Sequence, residues 1–472
     1  MNMKKIYVAL SLFAGLALTS CNLDESPATS LPLDEGITSE IDLKSAVKGV
    51  SYLLTEDRML YASEFGLYAD LLTNDFAVIK DNGQSSPISG YTLTKHDALP
   101  EYAYCYMYKA LANANLALKY SDALPESATV KELRGQLYAW RALLHFDLAR
   151  MFAHIPTTVA DVNAKGSGIV LSTQVLPVDF KGTRSTLKQT YDQIIADFTE
   201  AVKLMDKDAK KETGFLNYYA ALALRARAYL YMGENEKALA DAKEVIADGG
   251  YELYSIKDYA SVWNKEGTSE SIFELLTTSN YNPQRNSLGY YTDASGYAEC
   301  GFNTAGKLYK YLTDNPDDVR SKLIKEGKVS KTAAVSYYPA KYPGREGIYV
   351  NNPKIIRLSE VYLIAAEASV KLNKDDAASY INAIERNRVT GYQDVATVDI
   401  DDVIFEYEKE LFAENQIARQ MTMSTGSQCL MRRERLRQSP PMVTRCGSTD
   451  WIVTCRTTSC RRRRLRQVVT MS

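Results

Sequence analysis

Apolar residues recur at helical spacing along most of the chain. In residues 102–124, Tyr108, Leu111, Ala112 and Leu116, with Asn115 among them, follow an i, i+3, i+4 pattern. Residues 130–152 continue it through Leu133, Leu137, Trp140, Leu144, Leu148 and Phe152, and Pro156 closes the segment. Residues 187–205 predict a further helix with Ser185 as its N-cap. Residues 215–247 form the clearest unit. Ala220, Ala223, Leu224, Arg227, Ala228 and Tyr231 build one face, Gly233-Glu234-Asn235 makes a turn, and 236–247 returns as a second helix ended by Gly249 and Gly250. Gly233 followed by Ala238 is the spacing of a tetratricopeptide hairpin, with glycine for the tight turn and alanine for close helix approach. Residues 354–388 repeat the design: Ile356, Val361, Ile364, Ala365 and Ala368 line a first helix, Asn373 takes the turn and Ala378 follows. Residues 158–180 lack a helical period and read as loop or short strands. Residues 251–352, rich in Tyr, Gly, Asn and Ser, are too long for a plain loop and predict a second, irregular layer. About four helix pairs are thus spread along the chain rather than in direct succession.

The N-terminus reads as an address. Lys4 and Lys5 precede an apolar stretch, Ile6 to Ala17, closed by Leu18-Thr19-Ser20-Cys21. This describes a secretory signal over residues 1–20. The cysteine after small residues resembles a bacterial lipobox, in which Cys21 becomes the lipidated first residue. The lipid would be the protein's sole hold on a membrane.

Composition narrows the function. An apolar fraction of 46% and a charged fraction of 24% exclude a disordered chain, and a net charge of −2 argues against a nucleic-acid binder. That average conceals two parts. Residues 417–472 hold 12 arginines, no lysine and two acids, Glu434 and Asp450, a net of +10; the first 416 residues therefore carry −12. All 33 tyrosines and all 12 phenylalanines lie in those first 416 residues.

Four stretches carry a family resemblance: Tyr108 to Leu118; Leu137 to Phe152 running into Ile155-Pro156; the hairpin from Ala221 to Glu234; and Pro353 to Ala368. In this order, with the lipobox, the chain resembles the SusD/RagB outer-membrane lipoproteins over residues 1 to about 414. The resemblance implies a mainly α fold: four tetratricopeptide-like helix pairs packed against an irregular, loop-rich layer with a few short strands. It divides the chain into a signal peptide (1–20), an N-terminal region (21–250) and a C-terminal region (251–414). It implies a non-catalytic surface protein of the outer membrane that captures an oligosaccharide and delivers it to a TonB-dependent barrel. The family also implies a Glu-Leu-…-Glu-Gly-like helix leading to an aromatic-rich end. Glu410-Leu411-Phe412-Ala413-Glu414 begins that helix, and then the text becomes Arg-, Ser- and Thr-rich. Residues 415–472 therefore read as an out-of-frame tail. The rival reading is a basic tail centred on Arg461 to Arg464.

No catalytic or metal motif emerges. The cysteines of the tail lack Cys-x-x-Cys spacing. Cys105 and Cys300 read as separate thiols, His145 as a packed core residue, and the acids Asp401, Asp402, Glu406, Glu408 and Glu410 as a solvated helix face rather than a hydrolase pair. No cofactor is implied. A sugar site needs aromatic faces for C–H groups and planar polar partners for hydroxyls. Two segments supply both. One is Asn74 and Asp75, led by a helix over 65–75 and followed by the loop through Tyr91 to His96. The other is Trp263 with Asn280, Tyr281, Arg285, Asn286, Tyr290, Tyr291 and Tyr297. Asn74, Asp75, Tyr91, Trp263, Tyr281, Tyr290 and Tyr291 are the expected ligand residues. Two other classes fit the chain less well: a repeat scaffold holding a peptide on its concave surface, and a helical glycoside hydrolase.

Overall fold

Nine helices of ten residues or more run through residues 36–56, 60–177 and 179–416, the parts that the computed structural model describes. They are α1 (Glu40–Glu56), α2 (Ala98–Ser121), α3 (Ala128–Phe152), α4 (Leu187–Leu204), α5 (Tyr218–Met232), α6 (Asn235–Asp248), α7 (Leu358–Lys371), α8 (Ala377–Arg386) and α9 (Ile400–Leu411). Each packs on the next from α1 to α8, and α9 packs on α7. The mainly α expectation holds, with one spatial surprise. Residues 249–357 leave the helical array and return, yet α6 and α7 lie directly against each other, so pairs that are spread in sequence are stacked in space.

The two hairpins form for the reasons their sequences give. Gly233 sits at φ +78° and Asn373 at φ +53°, the left-handed region that these residues tolerate best. Ala220, Ala223, Ala228 and Ala238 are fully buried, so α5 and α6 approach without bulky side chains. Arg227, on the same face, is also buried. Its guanidinium meets Glu360 of α7 at 2.6 and 2.7 Å and donates to the Ile355 carbonyl at 2.6 Å, tying the first hairpin to the second. Asn115 and Arg141, from two of the resemblance motifs, also meet: Arg141 bonds the Asn115 amide oxygen at 3.0 Å and Asp197 of α4 at 2.6 Å.

Several local expectations are corrected. The cap of α4 is Thr186, in a capping box with Gln189; the Ser185 hydroxyl instead bonds Ile169 and Thr190. Ile356 lies on a strand, and α7 begins two residues later. The helix expected over 65–75 is two short turns, Glu64–Leu67 and Tyr68–Leu71. The helix expected to begin at Glu410 ends at Leu411. Helix α1 was not anticipated, although Leu43, Val47, Val50 and Leu54 carry a helical period and are buried.

The second layer holds three two-stranded antiparallel ladders: β1 (Phe76–Ala77) with β3 (Gly301–Phe302), β2 (Ser271–Glu274) with β6 (Lys354–Arg357), and β4 (Ile324–Gly327) with β5 (Ser336–Pro339). Trp140 of α3, 1% exposed, meets Phe273 of β2 edge-on at 5.5 Å and couples the two layers.

Where the layers meet lies a buried ion cluster, and here the solvated-face reading of α9 fails. Glu406 and Glu410 are buried. Glu410 accepts from Arg388 at 2.9 Å, Arg357 at 3.0 Å and Arg320 at 3.3 Å. Glu406 meets Arg320 at 2.5 Å, Glu414 meets Arg357 at 2.8 Å and Lys341 at 2.6 Å, and Glu270 joins Arg388 at 3.0 Å. Burial opposes ionisation of Glu410, but Arg388 and Arg357 outweigh it and hold the carboxyl well below the usual range. Glu385 meets Arg320 at 3.2 Å and Lys409, and burial and then the neighbouring Glu406 push its carboxyl above the usual range. Only Asp401 and Asp402 of the expected face are exposed, at the N-terminus of α9, where Asp399 and Asp402 form a capping box.

Beyond α9, residues 412–416 are seated in the body. Asp70 accepts from the backbone N–H of Ala413 at 2.6 Å and of Asn415 at 2.8 Å, and Arg150 donates to the Asn415 carbonyl at 2.5 Å. Asn415 has φ +61°, a left-handed position that asparagine tolerates better than most residues. The signal region with Cys21 and residues 417–472 of the expected 415–472 tail lie outside the described residues, whereas Asn415 and Gln416 belong to the body, Asn415 being buried against Asp70 and Ala69.

Candidate functional site

The β1–β3 ladder sets Phe76 opposite Phe302 and so lays the loop after β1 along the segment before β3. Lys80 N–H donates to the Ala298 carbonyl at 3.0 Å, and the Asn82 amide donates to the Tyr297 carbonyl at 2.8 Å. The two sequence segments nominated for the ligand therefore touch.

Their meeting point is an aromatic cluster. Tyr290 and Tyr291 end a single helical turn, Leu288–Tyr291, and Tyr297 returns to it through a bond from its N–H to the Tyr290 carbonyl at 2.8 Å. The Tyr290 and Tyr297 rings meet at 4.8 Å and 84°, Tyr291 and Tyr297 at 5.4 Å, and Tyr290 and Tyr349 at 5.7 Å. The closeness depends on two glycines. A Cβ at Gly296 would lie 2.2 Å from the Tyr290 carbonyl oxygen, and one at Gly289 would lie 2.3 Å from that of Ile348. Tyr290, Tyr297 and Tyr349 are half-buried; Gln284, Arg285, Asp81 and Asn82 are exposed on the flanking segments. Aromatic edges and faces beside exposed amide, guanidinium and carboxylate groups suit a hydroxyl-rich ligand.

The other expected residues have different surroundings. Tyr291 is fully buried, and its hydroxyl donates to Gln84 at 2.5 Å, so it fixes the loop from below. Asp75 is buried and accepts from Leu308 N–H at 3.1 Å, at the start of the short helix Lys307–Asp314. Trp263, 6% exposed, lies edge-on to Tyr259, with Lys341 at 4.7 Å and Arg357 at 5.3 Å from its ring centre. It packs against the ion cluster and gives a sugar no open face. Tyr91, at φ +55°, donates its hydroxyl to the Leu72 carbonyl. Asn74 is exposed, and its carbonyl accepts from Asn303 at 2.7 Å. Tyr281 is exposed and stacks on Tyr52 of α1 at 5.0 Å and 7°. Sequence reading passed over Tyr349 and Tyr52. Tyr349 sits in the same Gly- and Tyr-rich text, which was the available signal; Tyr52 went unread with α1.

Under the loop lies a pair of buried carboxylates. Glu299 accepts from the Ser85 N–H at 2.5 Å and the Asn82 N–H at 3.0 Å, and Glu64 accepts from the Ser85 hydroxyl at 3.1 Å. Burial, reinforced by Glu299, raises Glu64 to about 7. A carboxyl with a folded pKa above its unfolded value stabilises the fold fully below the unfolded pKa and loses that contribution as pH rises to the folded one. Glu64→Gln keeps the acceptor and removes the charge. It should match the parent in thermal melts at pH 4 and exceed it at pH 8, by at most about 3 kcal/mol from the shift. Equal stability of the two at pH 8 would contradict this assignment.

The remaining candidates for chemistry are structural. His145 is buried, its Nε2 accepts from Ser172 N–H at 3.1 Å, and burial with Arg141 lowers it to about 3, so it stays neutral. Cys105 is exposed and Cys300 buried, and no disulfide joins them. Among the described residues no group of three or more His, Cys, Asp or Glu side chains could hold a metal ion, and no helix is long and apolar enough to cross a membrane.

Two family models match in succession. One, described as "Starch-binding associating with outer membrane", covers residues 22–230; the other, the SusD family, covers 226–419. No curated protein matches. Among solved structures, a SusD superfamily protein from Bacteroides thetaiotaomicron is similar at 27% identity and TM-score 0.77, covering 86% of this chain and 97% of its own. One from Bacteroides vulgatus is similar at 28% identity and TM-score 0.74, covering 82% and 88%. A laminarin binding SusD-like protein shares the fold at 19% identity and TM-score 0.70, covering 84% and 94%.

Proposed function

This chain belongs to the SusD/RagB family, and on that footing we propose that it is a lipid-anchored, non-catalytic glycan-binding protein of the outer membrane. It captures an oligosaccharide and delivers it to a TonB-dependent barrel. The family description of starch binding at the outer membrane supports the ligand class and the location. The match beginning at residue 22, directly after Cys21, supports Cys21 as the lipidated residue. The match ending at 419, where the composition changes, supports reading the tail as out of frame.

The observation that carries the ligand assignment is the half-buried Tyr290–Tyr297–Tyr349 cluster beside the Lys80–Gln84 loop. Tyr290 and Tyr297 are the proposed sugar platform, with Tyr281, Asn74 and the exposed amides around it as outlying contacts. Tyr291, Asp75, Tyr91 and Trp263 hold the surrounding loops in place. The test is retardation of the full chain in native gels containing starch, laminarin or another neutral polysaccharide. Tyr290→Ala should weaken retention about ten-fold, since an aromatic contact is worth roughly 0.5–1.5 kcal/mol beyond its buried area. The far-UV CD spectrum should not change. Retention equal to that of the parent would remove this cluster from the site.

A further inference from the structure

The loop over residues 80–84 carries two side-chain amides beside the tyrosine cluster, and each has only one end engaged. Asn82 is exposed, and its Nδ2 donates to the Tyr297 carbonyl at 2.8 Å and to the Lys80 carbonyl at 3.2 Å. Carbonyls only accept, so the amide nitrogen faces them and the amide oxygen is left over. Gln84 is half-buried and arranged the other way. Its Oε1 accepts from the Tyr291 hydroxyl at 2.5 Å, and its NH2 group is left over. Among the described residues nothing donates to Asn82 Oδ1 and nothing accepts from Gln84 Nε2. We propose that these two amides read the polar groups of the ligand: a sugar seated on Tyr290 and Tyr297 donates one hydroxyl to Asn82 Oδ1 and accepts at another from the Gln84 amide, which makes an uncharged saccharide the preferred ligand. The inference rests on the glycan-binding reading above.

A hydroxyl both donates and accepts, so neighbouring hydroxyls can use a fixed acceptor and a fixed donor together. A carboxylate only accepts and would set another acceptor against the Asn82 oxygen. Both amides are held by the cluster itself. Asn82 is tied to the main chain of Tyr297 and Gln84 to the ring of Tyr291, and the rings of these two tyrosines meet at 5.4 Å. The loop that carries the amides is clamped from below. Glu299 accepts from the N–H of Asn82 at 3.0 Å and of Ser85 at 2.5 Å, and Asp81 accepts from the Gly83 N–H at 2.8 Å. Gly83 takes the left-handed φ of +81° at the turn between the two amides. Groups fixed in this way before the ligand arrives lose little conformational freedom on binding. Tyr291 then has a role besides packing: it is a positioning residue that sets which end of Gln84 faces outward.

The test is retardation of the full chain in native gels cast with starch, laminarin or galactomannan, with the polysaccharide concentration that gives half-maximal retardation read as the affinity. Gln84→Glu keeps the acceptor for Tyr291 and removes both N–H donors. Gln84→Met removes acceptor and donors alike without adding a charge, so what the two variants share is the loss of the donors. Both should weaken retention about five-fold, the loss expected of hydrogen bonds between uncharged groups, and Asn82→Ala should do the same. Tyr291→Phe should weaken it about two-fold alone and add nothing to Gln84→Met, because Tyr291 acts through Gln84. An amide that merely braced Tyr291 would be replaced by Gln84→Glu without loss. Retention of Gln84→Glu equal to the parent's, with Tyr290→Ala still weakened, would overturn the assignment and leave the glycan reading standing. A parent that none of the three polysaccharides retards would overturn both.

Discussion

Glu410→Ala will leave little folded protein. Its carboxylate is the shared acceptor of Arg320, Arg357 and Arg388, each itself 0–1% exposed. Without it Arg388 keeps one carboxylate partner, Glu270. Breaking a buried pair by removing one member costs about 3–5 kcal/mol because a charge is left uncompensated. A domain's whole margin is about 5–15 kcal/mol. Soluble yield and the urea midpoint should both fall sharply, and a midpoint equal to the parent's would contradict the account. The same cluster fixes a pH dependence. Glu406 is opposed by burial but pulled down to about 2 by Arg320 and Lys409. Its folded pKa lies below its unfolded value of about 4.3, so its stabilising contribution is present above that value and is lost as pH falls toward 2. Glu410 behaves the same way, and acid unfolding should set in below about pH 4.

Arg227→Ala should be nearly as damaging, by about 3–5 kcal/mol, for a related reason. It strands Glu360 in the core and removes the donor to the Ile355 carbonyl. Because the pair joins hairpins that are 133 positions apart in sequence, its loss loosens the contact that closes the helical array. Arg227→Met combined with Glu360→Leu should recover much of the loss, since a buried pair replaced by apolar groups of similar volume is often neutral. Unfolding midpoints of the single and double variants measure the coupling, and strict additivity would contradict it.

The hairpins were legible because their devices are local. Gly233 and Asn373 mark left-handed turns, and the alanines five residues on mark close packing. Neither reading depends on distant residues. Helix ends were less legible, since Thr186 rather than Ser185 wins the cap by a side-chain geometry that sequence does not order. The acids of α9 misled for a deeper reason. Glu406 and Glu410 at helical spacing look like a wet face, and the arginines that make burial tolerable come from positions 320, 357 and 388. The candidate site was half legible. Tyrosine density identified the segment, but whether a given ring faces solvent depends on tertiary packing. Neighbours in sequence differ completely: Tyr290 is half-buried in the cluster, whereas Tyr291 is fully buried beneath it. Trp263 was nominated for its ring alone, and the cations around that ring lie some eighty and ninety positions away, at Lys341 and Arg357.

The central claim is that this protein captures glycan at the cell surface for a transporter. Its most direct test is detergent extraction of the tagged full-length chain from the membranes of its native host, followed by mass spectrometry of what elutes with it. The account predicts a large TonB-dependent barrel in the eluate, at an amount comparable to the tagged protein. Efficient recovery of the folded chain with no barrel would contradict it.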